Sequence, residues 1–349
     1  MPTPWGPTLP RGADLDIEIL REMYRAGAVS IFGIDPRLNA SRIGRRLGMS
    51  RARVASRLRA WAETGFLPRY DVWPNPFLFG LTGVTFDLRL GDRLGKEELF
   101  ERIGLLPGAA AGLEFLGEWI SATFLVGADD DPGALRRILG GFAGVAEVGG
   151  PIPWAPPPAG RPLSPLELRI VRVLRQYPAE TLSSVARRVG VSTRTITTRY
   201  GQLLDRQAVW FLPVFDFRAL AEPVVSLNVR FRGPTDRESF GRAMRRSFPR
   251  SLEIDRAPFG PVVPENVGVY YLLGRSAARL EDLEGWVRSS PGVLEHEALT
   301  MVRIRSFSPT LDRLLQTAPG GPVAPGRREA PAGAREPRGH AAGRSRTIK

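Results

Sequence analysis

Arg51 and Arg53 stand two residues apart, directly behind Ser50, at the head of a predicted helix. A guanidinium is a planar fork of donors that matches guanine O6 and N7 in the DNA major groove, or the oxygens of a phosphate. Ser56 and Arg57 fall on the same outward side of that helix, and Arg45, Arg46 and Arg59 are placed to clamp phosphates. A second set occurs 142 positions later: Arg187, Arg188, Ser192, Thr193, Arg194, Thr195, Thr197, Thr198 and Arg199. It carries threonine hydroxyls and methyls where the first carries guanidinium groups. The two sets are therefore not expected to read the same DNA half-site.

Both sets need a rigid helical frame. Leu47-Gly48-Met49-Ser50 with Val54 is matched at the same offset by Val189-Gly190-Val191-Ser192 with Ile196. The glycine suits a left-handed turn, and the serine suits the N-cap of the helix that follows. Upstream, Leu15–Leu20 matches Leu166–Val171 at an offset of 151, so the first copy holds about nine extra residues, within 28–37. Leu15, Ile19 and Met23 form a helical apolar stripe. Val54, Leu58 and Trp61 are the expected core of the first copy, and Ile196, Tyr200 and Leu203 that of the second. Phe66-Leu67 with Tyr70-Asp71-Val72, and Val209-Trp210-Phe211 with Val214-Phe215-Asp216, read as wing hairpins. Arg57 and Arg199 admit two readings: contact with DNA, or an internal ion pair with Glu63 and Asp205 respectively.

Each helical unit is followed by a strand, helix, strand, strand, helix, strand pattern. The first set of strands is predicted at 83–90, 112–116, 119–126 and 146–152, with helices at 96–104 and 132–142. The second set of strands is predicted at 224–231, 251–255, 267–273 and 294–304, with helices at 236–248 and 276–288. The pattern is ferredoxin-like. The fold class is α+β: two winged helix-turn-helix domains alternating with two ferredoxin-like βαββαβ domains. The boundaries are a flexible arm (1–13), helix-turn-helix 1 (14–72), ferredoxin-like domain 1 (73–153) and a Pro-rich linker (154–160). Helix-turn-helix 2 (161–215), ferredoxin-like domain 2 (216–316) and a disordered basic tail (317–349) follow.

This order of units resembles the Lrp/AsnC family of transcriptional regulators, here as two tandem copies. The residues that carry the resemblance are Ile43, Leu47-Gly48-Met49-Ser50, Val54, Arg57 and Gly65-Phe66-Leu67, and in the second copy Val185, Val189-Gly190-Val191-Ser192, Ile196 and Arg199. Ser290-Pro291-Gly292-Val293 with Thr300, and Gly144-Val145, occupy the family's last helix-to-strand passage. The resemblance implies a sequence-specific DNA-binding regulator, an internal pseudo-dimer, and a small effector between the ferredoxin-like domains. That site would be lined by Gly117, Glu118, Glu265 and Asn266. The family's effector loop has Gly, two residues, then Asp; this chain has Ile120 at the Asp position. An apolar or aromatic effector, or none, is therefore expected.

Composition narrows the alternatives. Of 349 residues none is cysteine and only His296 and His340 are histidine, which excludes disulfides and leaves no metal cluster or cysteine nucleophile. The net charge is +13, carried almost wholly by arginine: Lys96 and Lys349 are the only lysines. Residues 14–70 carry +5, residues 161–212 carry +6 and residues 316–349 carry +5, so the excess sits in the two helical units and the tail. No apolar run spans a membrane. The expectations are a cytoplasmic protein, double-stranded DNA as partner, self-association through the ferredoxin-like domains, no cofactor and no enzymatic activity. Two alternatives stand beside them: a ligand-binding or scaffolding module with degenerate DNA-binding domains, and an enzyme like the siroheme decarboxylases, which share this architecture.

Overall fold

The structure is a computed structural model that describes residues 11–26, 36–91, 95–155, 160–178, 180–220, 223–248, 251–253, 260–261, 264–273 and 277–317. Residues 318–349 of the expected tail lie outside these residues, as do residues 1–10 of the expected arm; residues 11–13 belong to the first helix and Thr317 to the last.

The first three helices are α1 (Arg11–Ala26), α2 (Pro36–Arg46) and α3 (Arg51–Glu63). Ser50 caps α3, its hydroxyl accepting from Arg53 N at 3.2 Å, and Gly48 makes the turn before it at φ +65°. Three further helices follow the midpoint: α6 (Pro165–Gln176), α7 (Leu182–Val189) and α8 (Thr193–Asp205). Ser164 and Glu167 close a reciprocal capping box on α6, Thr181 caps α7, and Ser192 caps α8.

The expected wing hairpins do not form. Instead β1 (Arg69–Pro74) pairs antiparallel with β7 (Val209–Val214), with Arg69 opposite Val214 and Pro74 opposite Val209. β7 is apolar on both faces, and β1 buries Tyr70, Val72 and Trp73 beside the charged Arg69 and Asp71, so the ribbon cannot leave a face in water. Val72, Val209 and Phe211 join the core of α6–α8, while Trp73, Trp210 and Leu212 join that of α1–α3. The ribbon is thus buried between the two helical groups.

The remaining strands among the described residues make one ten-stranded sheet. The first half of the chain supplies β2 (Thr82–Leu90), β3 (Ala109–Phe115), β4 (Trp119–Val126), β5 (Val145–Val148) and β6 (Ile152–Ala155). The second half supplies β8 (Val224–Phe231), β9 (Ser251–Glu253), β10 (Gly260–Pro261), β11 (Val267–Leu273) and β12 (Val293–Ser306). The order is β10-β6-β2-β4-β3-β12-β8-β11-β9, with β5 also on β2. β12 joins the halves: its first part pairs with β8 and its last part, from Met301 to Ser306, with β3. The last strand expected in the first half is split into β5 and β6, with Gly150 at φ +86° between them. Trp154, read as linker, lies in β6 and is 3% exposed.

One sheet face is covered by helices α4 (Lys96–Leu105) and α5 (Pro132–Gly140) over Phe86, Leu88 and Phe124, and by α9 (Pro234–Ser247) and α10 (Ala277–Ser289) over Leu227, Val229 and Tyr270. The other face carries Ala111, Phe115, Leu125, Trp154 and Met301, continuous with the core of α1–α3. Helix α11 (Ser308–Thr317) seats Leu315 in the core of α6–α8, where Arg172 donates to Leu315 O and Arg175 to Asp312.

Candidate functional site

The exposed face of α2 and α3 carries Arg42, Arg45, Arg51, Arg53, Ser56 and Arg59. Arg45, Arg51 and Arg53 have no ion-pair partner among the described residues. Two expected members of the set are otherwise engaged. Arg46 holds Glu22 of α1 at 3.0 Å. Arg57 turns inward and donates through Nε and a terminal nitrogen to the Asp16 carboxylate, to which Trp61 Nε1 also donates at 2.8 Å. The internal partner is Asp16, not Glu63, because α1 packs across α3 and brings its acid under the guanidinium. Hydrogen bonding to Asp16 raises the Arg57 pKa, against the effect of burial. Ser50 faces solvent but spends its hydroxyl on the cap. Arg42 was missed by sequence reading, although its place three residues before Arg45 puts both on one side of α2.

The second set is arranged differently. Thr193, Arg194, Thr197 and Thr198 are exposed on α8, with Thr195 partly covered. Thr197 donates back to Thr193 O at 2.9 Å, and Ser192 Oγ lies 2.8 Å from Thr195 Oγ1, so three of these hydroxyls already serve the helix. Arg188 is held by Glu180, with its guanidinium carbon 3.7 Å from the Tyr177 ring centroid, which leaves Arg187 as the freer member of that pair. Arg199 donates to Gln202 at 3.1 Å rather than to Asp205. The acid that corresponds to Asp16 is Glu167, fully buried and held by Arg161 at 2.8 Å and Arg206 at 3.0 Å. Burial pushes its carboxyl up, but hydrogen bonds from Arg161 and Ser164 and the charge of Arg206 outweigh burial and hold the pKa at about 2.

The four expected effector residues do not converge. Gly117 makes the β3–β4 turn at φ +82°, with Glu118 exposed beside it, 3.8 Å from Arg89. Glu265 and Asn266 lie just before β11, where Asn266 Nδ2 donates to Phe231 O at 3.1 Å and Arg237 to Glu265 O. In the sheet β12 and β8 stand between the two pairs.

A polar strip that sequence reading missed runs along the face of the sheet not covered by α4 and α5. Thr85 Oγ1 lies 3.0 Å from Thr123 Oγ1 and accepts from Trp154 Nε1 at 3.1 Å. Two residues further along β2, Asp87 accepts a hydrogen bond from Ser121. From the other half, Glu297 of β12 accepts from Asn228 of β8 and lies within electrostatic reach of Asp87. Burial raises the pKa of Asp87, against the Ser121 hydrogen bond. Burial and then the Asp87 charge raise that of Glu297, although its side chain stays open to solvent. These are two carboxyls from different halves, both biased toward holding a proton. The legible signal was Asp87 alone at an inward position of the strand predicted at 83–90.

Among the described residues no group of His, Cys, Asp and Glu is placed to hold a metal ion, and no helix is long and apolar enough to cross a membrane.

No protein-family model and no curated protein matches the sequence. Among solved structures, that of the siroheme decarboxylase NirDL is similar over 86% of this chain and 97% of its own, at 14% identity and a TM-score of 0.48. Its co-complex with an iron-uroporphyrin III analogue is similar over 87% and 97%, at 14% identity and 0.47. The transcriptional regulator NMB0573 from Neisseria meningitidis, in complex with L-Met, is similar over 40% of this chain and 88% of its own, at 18% identity and 0.28. These are likenesses of fold. The expectation of no enzymatic activity is corrected here: two solved structures similar over most of the chain are of an enzyme.

Proposed function

We propose that the chain is a sequence-specific DNA-binding regulator of Lrp/AsnC type, built as a tandem duplication whose two halves form an internal pseudo-dimer. Two repeated strand orders support the duplication. The first half runs β6-β2-β4-β3 and the second β12-β8-β11-β9, each with its last strand beside its first. The observation that carries the DNA reading is the pair Arg51 and Arg53, exposed and free of ion pairs at the head of α3 while Arg57 is drawn inward. Such a helix end is what a helix-turn-helix lays in the major groove. The first helical group is then the principal reader, and the second contributes weaker contacts through Arg187, Arg194 and Thr198.

Selection of bound duplexes from a random pool by the full chain tests this. The expected result is an enriched sequence whose affinity falls steeply with salt and whose guanine preference relaxes in Arg51→Ala or Arg53→Ala. Failure to enrich any sequence, or enrichment unchanged by both variants, sinks the reading.

A second reading rests on Asp87 and Glu297. A carboxyl with a raised pKa is a proton donor, so the strip suits an enzyme that returns a proton to carbon. In a decarboxylation of the kind NirDL's name describes, the bond from carbon to carboxylate breaks, carbon dioxide leaves, and the carbon takes a proton. Incubation with siroheme, followed by mass spectrometry, tests it. Loss of carbon dioxide from the substrate that disappears in Asp87→Asn and survives in Arg51→Ala supports the enzyme; an unchanged substrate rejects it.

A further inference from the structure

The polar strip on the sheet face away from α4 and α5 holds two carboxyls from different halves, two buried hydroxyls without a partner, and no cation to match the acids. We propose that this strip is a binding site for a small aliphatic amine in its ammonium form.

The charges leave a cation missing. Asp87 and Glu297 lie within electrostatic reach of each other. Asp87 is met by the Ser121 hydroxyl and Glu297 by Asn228, both neutral. Among the described residues neither acid has an ion-pair partner, in a chain whose net charge is +13. The arginines at the end of the strip are committed elsewhere: Arg89 holds Glu147, and Arg230 holds Glu295. Two neighbouring carboxylates repel, and a cation shared between them relieves both.

Two hydroxyls point the same way. Ser226 of β8 stands opposite Tyr271 of β11, as Thr85 of β2 stands opposite Thr123 of β4. The two threonines bond each other, and Thr85 takes the Trp154 indole N–H. Ser226 and Tyr271 form no hydrogen bond among the described residues, although they are only 5% and 8% exposed. Buried polar groups in folded proteins are almost always satisfied. Burial pushes the Tyr271 phenol up, so it keeps its proton. Side chains two apart on a strand share a face, so Ser226 and Asn228 point to one side. Leu299 lies opposite Ser226 and Glu297 opposite Asn228, which makes Ser226 the diagonal neighbour of Glu297. A hydroxyl lone pair accepts from an ammonium as a carboxylate does, so one donor group suits both.

Apolar neighbours decide for an organic cation. Leu113 lies opposite Ser121, Val269 opposite Asn228 and Leu299 opposite Ser226, and all three are only partly buried. Trp119, two residues before Ser121, is partly buried as well. A hydrated metal ion leaves such surface wet, whereas an alkyl chain removes it from water. The site is independent of DNA binding. It competes with the acid role given to Asp87 above, because a bound ammonium holds the carboxyl ionised.

Titration calorimetry of the full chain with pentylamine, pentanol and pentanoate at neutral pH tests the proposal. The expected result is saturable binding of the amine, about tenfold weaker binding of the alcohol, and none of the carboxylate. Asp87→Asn and Glu297→Gln should each weaken the amine about tenfold and Tyr271→Phe about threefold. Glu98→Gln, on the exposed side of α4, should leave it unchanged. If Asp87→Asn does not fold, Glu297→Gln decides, because that side chain is open to solvent. No saturable binding of the amine at millimolar concentration, equal binding of the alcohol, or undiminished binding by Glu297→Gln overturns the proposal. Equal weakening by Glu98→Gln makes the amine a diffuse counterion of surface acids and overturns it too. Decarboxylation of siroheme without amine binding removes this site and leaves the enzyme reading standing.

Discussion

Arg57 of α3 grips Asp16 of α1 with two nitrogens, across 41 positions of sequence, and Trp61 donates to the same carboxylate. A residue on the expected reading face thus acts as an internal brace. Removing the guanidinium leaves a nearly buried carboxylate without its cation. Arg57→Ala should therefore lower unfolding free energy by about 2 kcal/mol, less than for a fully buried pair because Arg57 is 34% exposed. Urea denaturation measures this. An unchanged midpoint together with lost DNA affinity would instead make Arg57 a DNA contact.

The free arginines on α2 and α3 predict two kinds of loss. Arg53→Ala should cost about 1–3 kcal/mol of specific binding, while Arg45→Ala should weaken all sequences alike and reduce the salt slope by about one ion. Arg194→Ala on α8 should cost less than Arg53→Ala. Fluorescence anisotropy across a salt series separates the three; equal losses for Arg53 and Arg194 would remove the asymmetry between the helical groups.

Glu167 sets an acid limit on the second helical group. Its folded pKa of about 2 lies below its ordinary 4.5. The stability it gives is therefore complete above about pH 4.5 and is lost as pH falls toward 2. The shift corresponds to at most on the order of 3 kcal/mol. Glu167→Gln should flatten the decline of melting temperature between about pH 5 and about pH 3, across the ordinary carboxylate range. A parallel decline in both proteins would place the acid sensitivity elsewhere.

Asp87 and Glu297 act in the opposite direction. Their raised pKa values mean that the protonated forms favour the fold, so their contribution is present at acid pH and fades as pH rises through the folded values. Asp87→Asn removes one charge from the strip and should raise the melting temperature at neutral and alkaline pH, with little change in acid. A lowered melting temperature at every pH would show that the Ser121 hydrogen bond outweighs the burial of charge.

Gly83 lies against Trp154 so closely that an added Cβ would fall 2.2 Å from the indole ring. Gly83→Ala should destabilise by about 1–3 kcal/mol through overpacking, and Trp154→Ala by about 3–5 kcal/mol through the void it leaves. Chemical denaturation of both checks that β6 is part of the sheet and not a linker. Two surface-like values, near zero, would return Trp154 to the linker.

What the sequence determined by itself was local. Ser50 and Ser192 announced helix starts because capping is a contact within four residues, and Gly48 and Gly190 announced turns because only glycine enters the left-handed region freely. The strands at 119–126, 224–231 and 267–273 were legible to the residue, since alternation along one strand reports its own two faces. The tertiary structure decided everything that depends on a distant partner. Tyr70-Asp71-Val72 carries no mark that its partner is 211–213 and not the adjacent 66–67. Sequence reading offered Glu63 for Arg57; Asp16 takes that place only once α1 is laid across α3. Asp87 and Glu297 join elements some two hundred positions apart. Such pairings follow from which apolar faces find cover, and the whole chain settles that at once, so no single segment records it.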